Sequence, residues 1–305
     1  MADQTERLLL VGDNPFHGIS HLSQERARAR GEQINFTEFA ANLVLSSIEN
    51  GANGFMFSVS ETTLATLQTV QKRIRDKPLA LYAIVPYAYE YVRLATQLGP
   101  VGLAKKLGQK IVLSGNSGAI FNGLKGVIRM NPEALMKTYL LYEISRIKSS
   151  AGKHMNLESV MLHEVVTDML LALNADWLVK SFIEFLVKRR IKPGFETRNF
   201  VYLVDKFKEW DIDFSKIVIA APFNKVGFQM VPSKEECEKT LAEVPESTTI
   251  AFSILAAGYL KLEEAAEYVQ SLSNLKGVAV GVSKEHHARE TFAILEKRLN
   301  GSKAS

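Results

Sequence analysis

The stretch Thr249-Ile250-Ala251-Phe252-Ser253-Ile254-Leu255-Ala256-Ala257-Gly258, followed by Val278-Ala279-Val280-Gly281-Val282-Ser283, decides the fold. Each half is a short apolar run that ends in small polar and glycine residues. A helical apolar pattern follows each, Leu262 to Leu272 and Glu285 to Leu299. Two consecutive strand–loop–helix units with small residues at the strand ends are the arrangement that closes many (β/α)8 barrels and holds an anionic group there.

Working outward, the same alternation fills the chain. Apolar runs of strand length occur at Leu8–Gly12, Gly54–Val59, Leu79–Val85, Leu157–His163, Lys192–Glu196, Lys216–Ala221, Thr249–Ile254 and Val278–Val282. Helix-period segments follow them, among them Phe36–Ser47, Thr62–Ile74, Trp177–Arg190, Phe200–Trp210 and Glu263–Leu272. Ile217-Val218-Ile219-Ala220-Ala221 is apolar at every position, as a parallel strand covered on both faces must be. Eight such units predict an α/β chain folded as a closed (β/α)8 barrel, one domain over 1–305; an open doubly wound sheet is the alternative. One stretch breaks the rhythm. Residues 99–131, rich in glycine and lysine, read as an insertion after the third unit: a lid, an oligomer contact or a surface excursion.

The chain has 305 residues and a net charge of +4, a mild excess without a clustered basic face, so nucleic acid is not an expected partner. No apolar run approaches membrane-spanning length, and the N-terminal residues lack the pattern of a secretory signal. A cytoplasmic protein that binds a small molecule bearing an anionic group, with a homo-oligomer possible, is the expectation. The single cysteine, Cys237, rules out an intrachain disulfide. Its setting, Lys234-Glu235-Glu236-Cys237-Glu238, reads as an exposed helical turn whose acids raise the thiol pKa.

Reactive groups in such barrels sit at the C-terminal ends of strands. Asp13, Asn14 and His17 form the densest polar group on one loop, and an acid, an amide and an imidazole can orient a carbonyl or a water. His163 closes the fourth strand. It and Glu164 face opposite sides if the strand continues, and His163 is assigned to the barrel mouth. Glu196 ends the fifth strand as a possible general base. Asp13, His17, His163 and Glu196 are therefore the candidate catalytic residues. Their chemistry suits zinc, manganese or iron, but no HxH or HExxH spacing supports a metal, and none is assigned. Ser253, Gly258, Gly281, Ser283 and Lys284 make the candidate anion site. There Gly281 would admit close backbone approach, Ser283 would cap the last helix and Lys284 would add charge.

From His163 onward the chain resembles the aldo-keto reductases. Leu162-His163 looks like the family's fourth strand, which ends in histidine. Pro193-Gly194-Phe195-Glu196-Thr197 stands where the family has a glycine and then a serine–asparagine pair that touches nicotinamide. Pro222-Phe223-Asn224 stands where an aromatic ring stacks on that nicotinamide, with Phe223 in place of the usual tyrosine. Phe252 to Gly258 looks like its loop near the pyrophosphate, and Gly281-Val282-Ser283, with Arg289 and Glu290, like its adenosine-phosphate segment. The resemblance implies NADP as cofactor, with Phe223, Asn224, Ser253, Gly258, Gly281, Ser283 and Lys284 around it. The first half departs from the family pattern. Phe55-Met56-Phe57-Ser58 stands where the catalytic aspartate would be, no Tyr-Gly follows, and Leu81 to Pro86 holds no lysine. The expectation is acid/base chemistry on a carbonyl or carboxylate compound, phosphorylated or nucleotide-linked. The alternatives are a non-catalytic reductase-like binding protein and a metal-dependent lyase or hydrolase.

Overall fold

The computed structural model describes residues 6–17, 36–74, 78–86 and 131–301. Its strands are β1 (Leu8–Gly12), β2 (Gly54–Ser58), β3 (Leu79–Val85), β4 (Met155–Leu162), β5 (Lys192–Glu196), β6 (Val218–Pro222), β7 (Thr248–Phe252) and β8 (Gly277–Gly281). They pair in parallel, in chain order, into a closed eight-stranded barrel. The seam is the β1–β8 ladder, in register from Leu8↔Gly277 to Gly12↔Gly281. The expected (β/α)8 architecture is the one observed.

The described helices are α1 (Phe36–Glu49), α2 (Glu61–Gln71), α3 (Pro132–Ala151), α4 (Glu164–Ala172), α5 (Asp176–Val187), α6 (Phe200–Glu209), α7 (Lys234–Glu243), α8 (Leu262–Ser271) and α9 (Glu285–Leu299). Residues 99–130 of the expected insertion lie outside the described residues. Asn131, at its end, caps α3 by accepting from the Glu133 and Ala134 amides at 3.0 and 3.2 Å. No described helix is long and apolar enough to cross a membrane.

Strand alternation sorts the side chains into two layers. Leu10, Met56, Ile84, Met161, Val218, Ala220, Ile250 and Ala279 fill the barrel interior. Leu9, Val11, Phe55, Phe57, Phe195 and Ile219 face the helices. Gly194 is dictated by the inner layer: a Cβ there would stand 2.4 Å from Met161 Cγ. Cys237 corrects an expectation. It is 1% exposed, its thiol lies 3.5 Å from the Val231 carbonyl, and burial, ahead of Glu238 and Glu236, pushes it up to about 11. The acidic turn was legible, but its inward face was not.

Candidate functional site

Above the interior layer, the C-terminal ends of the strands enclose a cavity of 320 Å³. Asp13, Asn14, Ser58, His163, Glu164, Glu196, Arg198 and Gln229 are among its polar lining residues, and Met56, Ile84, Phe252, Ile254 and Ala279 form apolar wall.

Each polar group is placed by its strand. Phe195 is wedged between Phe182 and Phe207, with ring centroids at 5.5 and 4.8 Å in edge-on contacts. That outward anchor turns the next residue, Glu196, toward the cavity. Asp13 leaves β1, is 4% exposed, and accepts from the Ser58 amide at the end of β2 at 2.7 Å. The chain then turns through a short 3-10 segment, Asn14–His17, closed by Phe16 N–H to the Asp13 carbonyl at 2.7 Å. The His17 side chain lies outside what the structure describes.

The end of β4 differs from expectation. The strand stops at Leu162, and His163 is the N-cap of α4, its Nδ1 accepting from the Val165 amide at 3.2 Å. Glu164 is therefore the first helical residue, and strand alternation no longer governs it. Both His163 and Glu164 line the cavity rather than His163 alone. Burial lowers the His163 pKa, ahead of a smaller opposing effect of Glu164, so the ring is neutral near pH 7. With Nδ1 accepting, the proton of the neutral ring sits on Nε2.

The carboxylates are set in contrasting environments. Glu164 accepts from Arg198 Nε at 2.7 Å. Its backbone amide donates to Glu196 Oε2 at 3.3 Å. Among the described residues Glu196 makes no ion pair, and its pKa is pushed up to about 8, first by burial and then by the negative charge of Glu164. Beneath them, Asp168 on α4 accepts from Thr197 Oγ1 at 2.6 Å and Asn199 Nδ2 at 2.8 Å. One helix thus grips the β5 loop on both sides of Arg198. Burial raises the Asp168 carboxyl, against the lowering by those two hydrogen bonds.

The residues expected to meet a cofactor divide. Ser253, Gly258 and Gly281 line the cavity. Phe223 is fully buried against Phe200, centroids 5.3 Å apart, and presents no ring to the cavity. Asn224 is equally buried and spent on its own loop: its Nδ2 donates to the Phe228 carbonyl and its Oδ1 accepts from the Phe228 amide, both at 2.8 Å. Ser283 and Lys284 are not among the lining residues. The N-cap of α9 is Lys284, without a side-chain capping bond, in place of Ser283. Gly281 has a packing reason to be glycine, since a Cβ would stand 2.8 Å from Pro15 Cδ. The β7–α8 loop is unusual: Ser253, Ala256 and Ala257 have positive φ (53, 46 and 59°), as does Gly258 (89°). Non-glycine residues in the left-handed region concentrate where surrounding structure holds them, and this loop forms one wall of the cavity.

No lysine or tyrosine appears among the described lining residues. Tyr82, the inward tyrosine of β3, is packed in the interior layer and pushed up to about 12 by burial and by Glu158. No group of three or more His, Cys, Asp or Glu able to hold a metal occurs among the described residues. No sequence motif marks Arg198 as a site residue. Its signal is visible only once α4 and the β5 loop are adjacent.

No protein-family model matches the chain, and no curated protein matches it in sequence. Its shape does have counterparts. A solved "putative aldo-keto reductase" from Pseudomonas aeruginosa superposes with a TM-score of 0.57 at 12% identity, over 98% of this chain and 93% of the other. A second structure of that description gives 0.56 at 11% identity, over 98% and 92%. A glycerol dehydrogenase from Gluconobacter oxydans gives 0.49 at 9% identity, over 100% and 98%. At such identities the likeness is one of architecture: the chain folds as an aldo-keto-reductase-like barrel.

Proposed function

We propose that the protein is an enzyme that works by acid/base chemistry on a small carbonyl or carboxylate compound held in the barrel-mouth cavity. The observation that carries this reading is the carboxyl pair at the cavity: Glu196 lines it with its pKa pushed up to about 8 by burial, beside Glu164, which is bonded to Arg198. A carboxyl raised in this way can serve as the acid of a site whose base is another carboxylate. In this reading Glu196 gives its proton to the substrate oxygen, and Asp13, across the cavity, accepts one from carbon or hydroxyl. Neutral His163 orients the same oxygen through Nε2–H.

The direct test is proton exchange. Small oxo- and hydroxyacids and their phosphate esters are incubated with the protein in D2O, and loss of the C–H signal next to the carbonyl is followed by NMR. Exchange that disappears in Glu196→Gln and Asp13→Asn supports the reading. Ligands that bind without exchange or turnover would identify a reductase-like binding protein instead.

A second reading is favoured by the left-handed run Ser253, Ala256, Ala257 and Gly258 on the cavity wall. Such turns direct successive backbone amides toward one point, which suits a phosphate. On this reading a nucleotide such as NADP lies against the β7 and β8 loops. Titration with NADPH, followed by its fluorescence and by hydride transfer to aldehydes, decides it.

A further inference from the structure

The sequence places the anion site at Ser253, Gly258, Gly281, Ser283 and Lys284, and of these the one cation, Lys284, does not line the cavity. Among the described residues the cation that does is Arg198, just after β5. It is not an incidental surface arginine. Its flanking residues, Thr197 and Asn199, are both tied to Asp168, and Thr197 is fully buried. Its Nε is taken by Glu164 at 2.7 Å, which fixes the plane of the guanidinium. The Nη groups have no hydrogen-bond partner among the described contacts, and the side chain keeps 40% of its surface open. A planar cation held at Nε, with its other donors unbonded among the described contacts, is suited to gripping a second planar anion through two parallel bonds.

We propose that Arg198 is the substrate-recognising residue of this cavity and that it selects a compound bearing a carboxylate. The inference rests on the acid/base reading above and adds the substrate class to it. Charge favours a carboxylate over a phosphate. Arg198 is already shared with Glu164, so a dianion would bring two further negative charges against one divided positive charge. A monoanion adds only one. The 320 Å³ volume sets the size, that of a small metabolite rather than a polymer. Bound this way, the carboxylate lies next to Glu196, and the rest of the molecule extends over the apolar wall of Met56, Ile84 and Phe252.

The test is isothermal titration of the whole protein with short-chain oxo- and hydroxycarboxylates, their uncharged amides and inorganic phosphate. The parent is compared with Arg198→Gln and Arg198→Lys, each checked for folding by circular dichroism. The expected result is binding of carboxylates but not amides, weakened about tenfold or more in Arg198→Gln and recovered only in part by Arg198→Lys, which lacks the fork. Carboxylates that bind Arg198→Gln as well as the parent would overturn the proposal. So would a panel in which none binds, or phosphate that binds more tightly than the carboxylates in an Arg198-dependent way. Glu196→Gln separates the two readings. Carboxylate binding that depends on Arg198, with proton exchange intact in Glu196→Gln, removes the acid/base assignment and leaves this inference standing. Exchange on an uncharged substrate, unaffected in Arg198→Gln but lost in Glu196→Gln, does the reverse.

Discussion

The Glu164 backbone amide donates to Glu196 Oε2 at 3.3 Å, while the Glu164 carboxylate turns away to Arg198 at 2.7 Å. One residue therefore supplies its neighbour with a neutral donor and a nearby negative charge, and gives the cation to itself. Burial first, and then that negative charge, push the Glu196 carboxyl up to about 8.

Replacing Glu196 by glutamine is expected to stabilise the protein at neutral and alkaline pH. The folded carboxyl holds its proton to about 8, the unfolded one only to about 4.5. Between those values the unfolded state has lost a proton that the folded state keeps, so stability falls as pH rises through the window and levels off above it. Glu196→Gln removes that slope. Urea titrations should show a gain on the order of 1–3 kcal/mol at pH 8 that vanishes near pH 4. A parent and variant with parallel pH profiles would refute the assignment.

Any activity that needs the Glu196 proton should decline as pH rises through about 8, the pKa of that carboxyl. The alkaline limb of the kcat/KM profile reports it. In Asp13→Asn the same limb should persist at a lower plateau, because the acid is untouched.

Asp168→Ala leaves the buried Thr197 hydroxyl without its acceptor and frees Asn199. The expected cost is about 1–3 kcal/mol in denaturant unfolding, with Asp168→Asn falling between it and the parent. A variant as stable as the parent would show that the β5 loop does not depend on α4.

Gly281→Ala should lower Tm in the absence of any ligand, because the new methyl group meets the Pro15 ring at 2.8 Å. A cost of about 1–3 kcal/mol is typical of such overpacking. Unchanged stability would mean that the Asn14–His17 turn yields freely.

Cys237 should resist alkylation in the folded protein at pH 7.5, since burial pushes the thiol up to about 11 and hides it. Rapid labelling in urea and slow labelling without it, followed by mass spectrometry, is the expected pair of results.

The strands were legible because a parallel barrel strand has a strong signal of its own: an apolar run bounded by polar residues. β1, β3 and β5 fall on the expected residues, and β7 is displaced by one residue at its start. The site was less legible, for a local reason. The periodicity of two that assigned His163 inward and Glu164 outward applies only while the backbone is extended, and His163 is already a helix cap. Phe223 and Asn224 lie away from the cavity for a different reason. A resemblance in order along the chain placed them at the cavity, but Phe200 and Phe228 give them better partners behind it. Arg198 carried no motif at all. Its meaning depends on α4 and β5 lying side by side, which is a property of the closed barrel.

The β1–β8 ladder is fastened twice. Besides the strand register, Arg7 donates from its side chain to the Val269 carbonyl at 2.7 Å, and its amide donates to Asn300 Oδ1 at 2.8 Å. The first strand thus waits for partners that emerge from the ribosome some 270 residues later. During synthesis β1 has one edge without its neighbour, and Asp13 and Pro15 stand on a half-built rim. The cavity is completed only when β8 joins β1, so closure of that seam sets when this protein can first recognise a ligand.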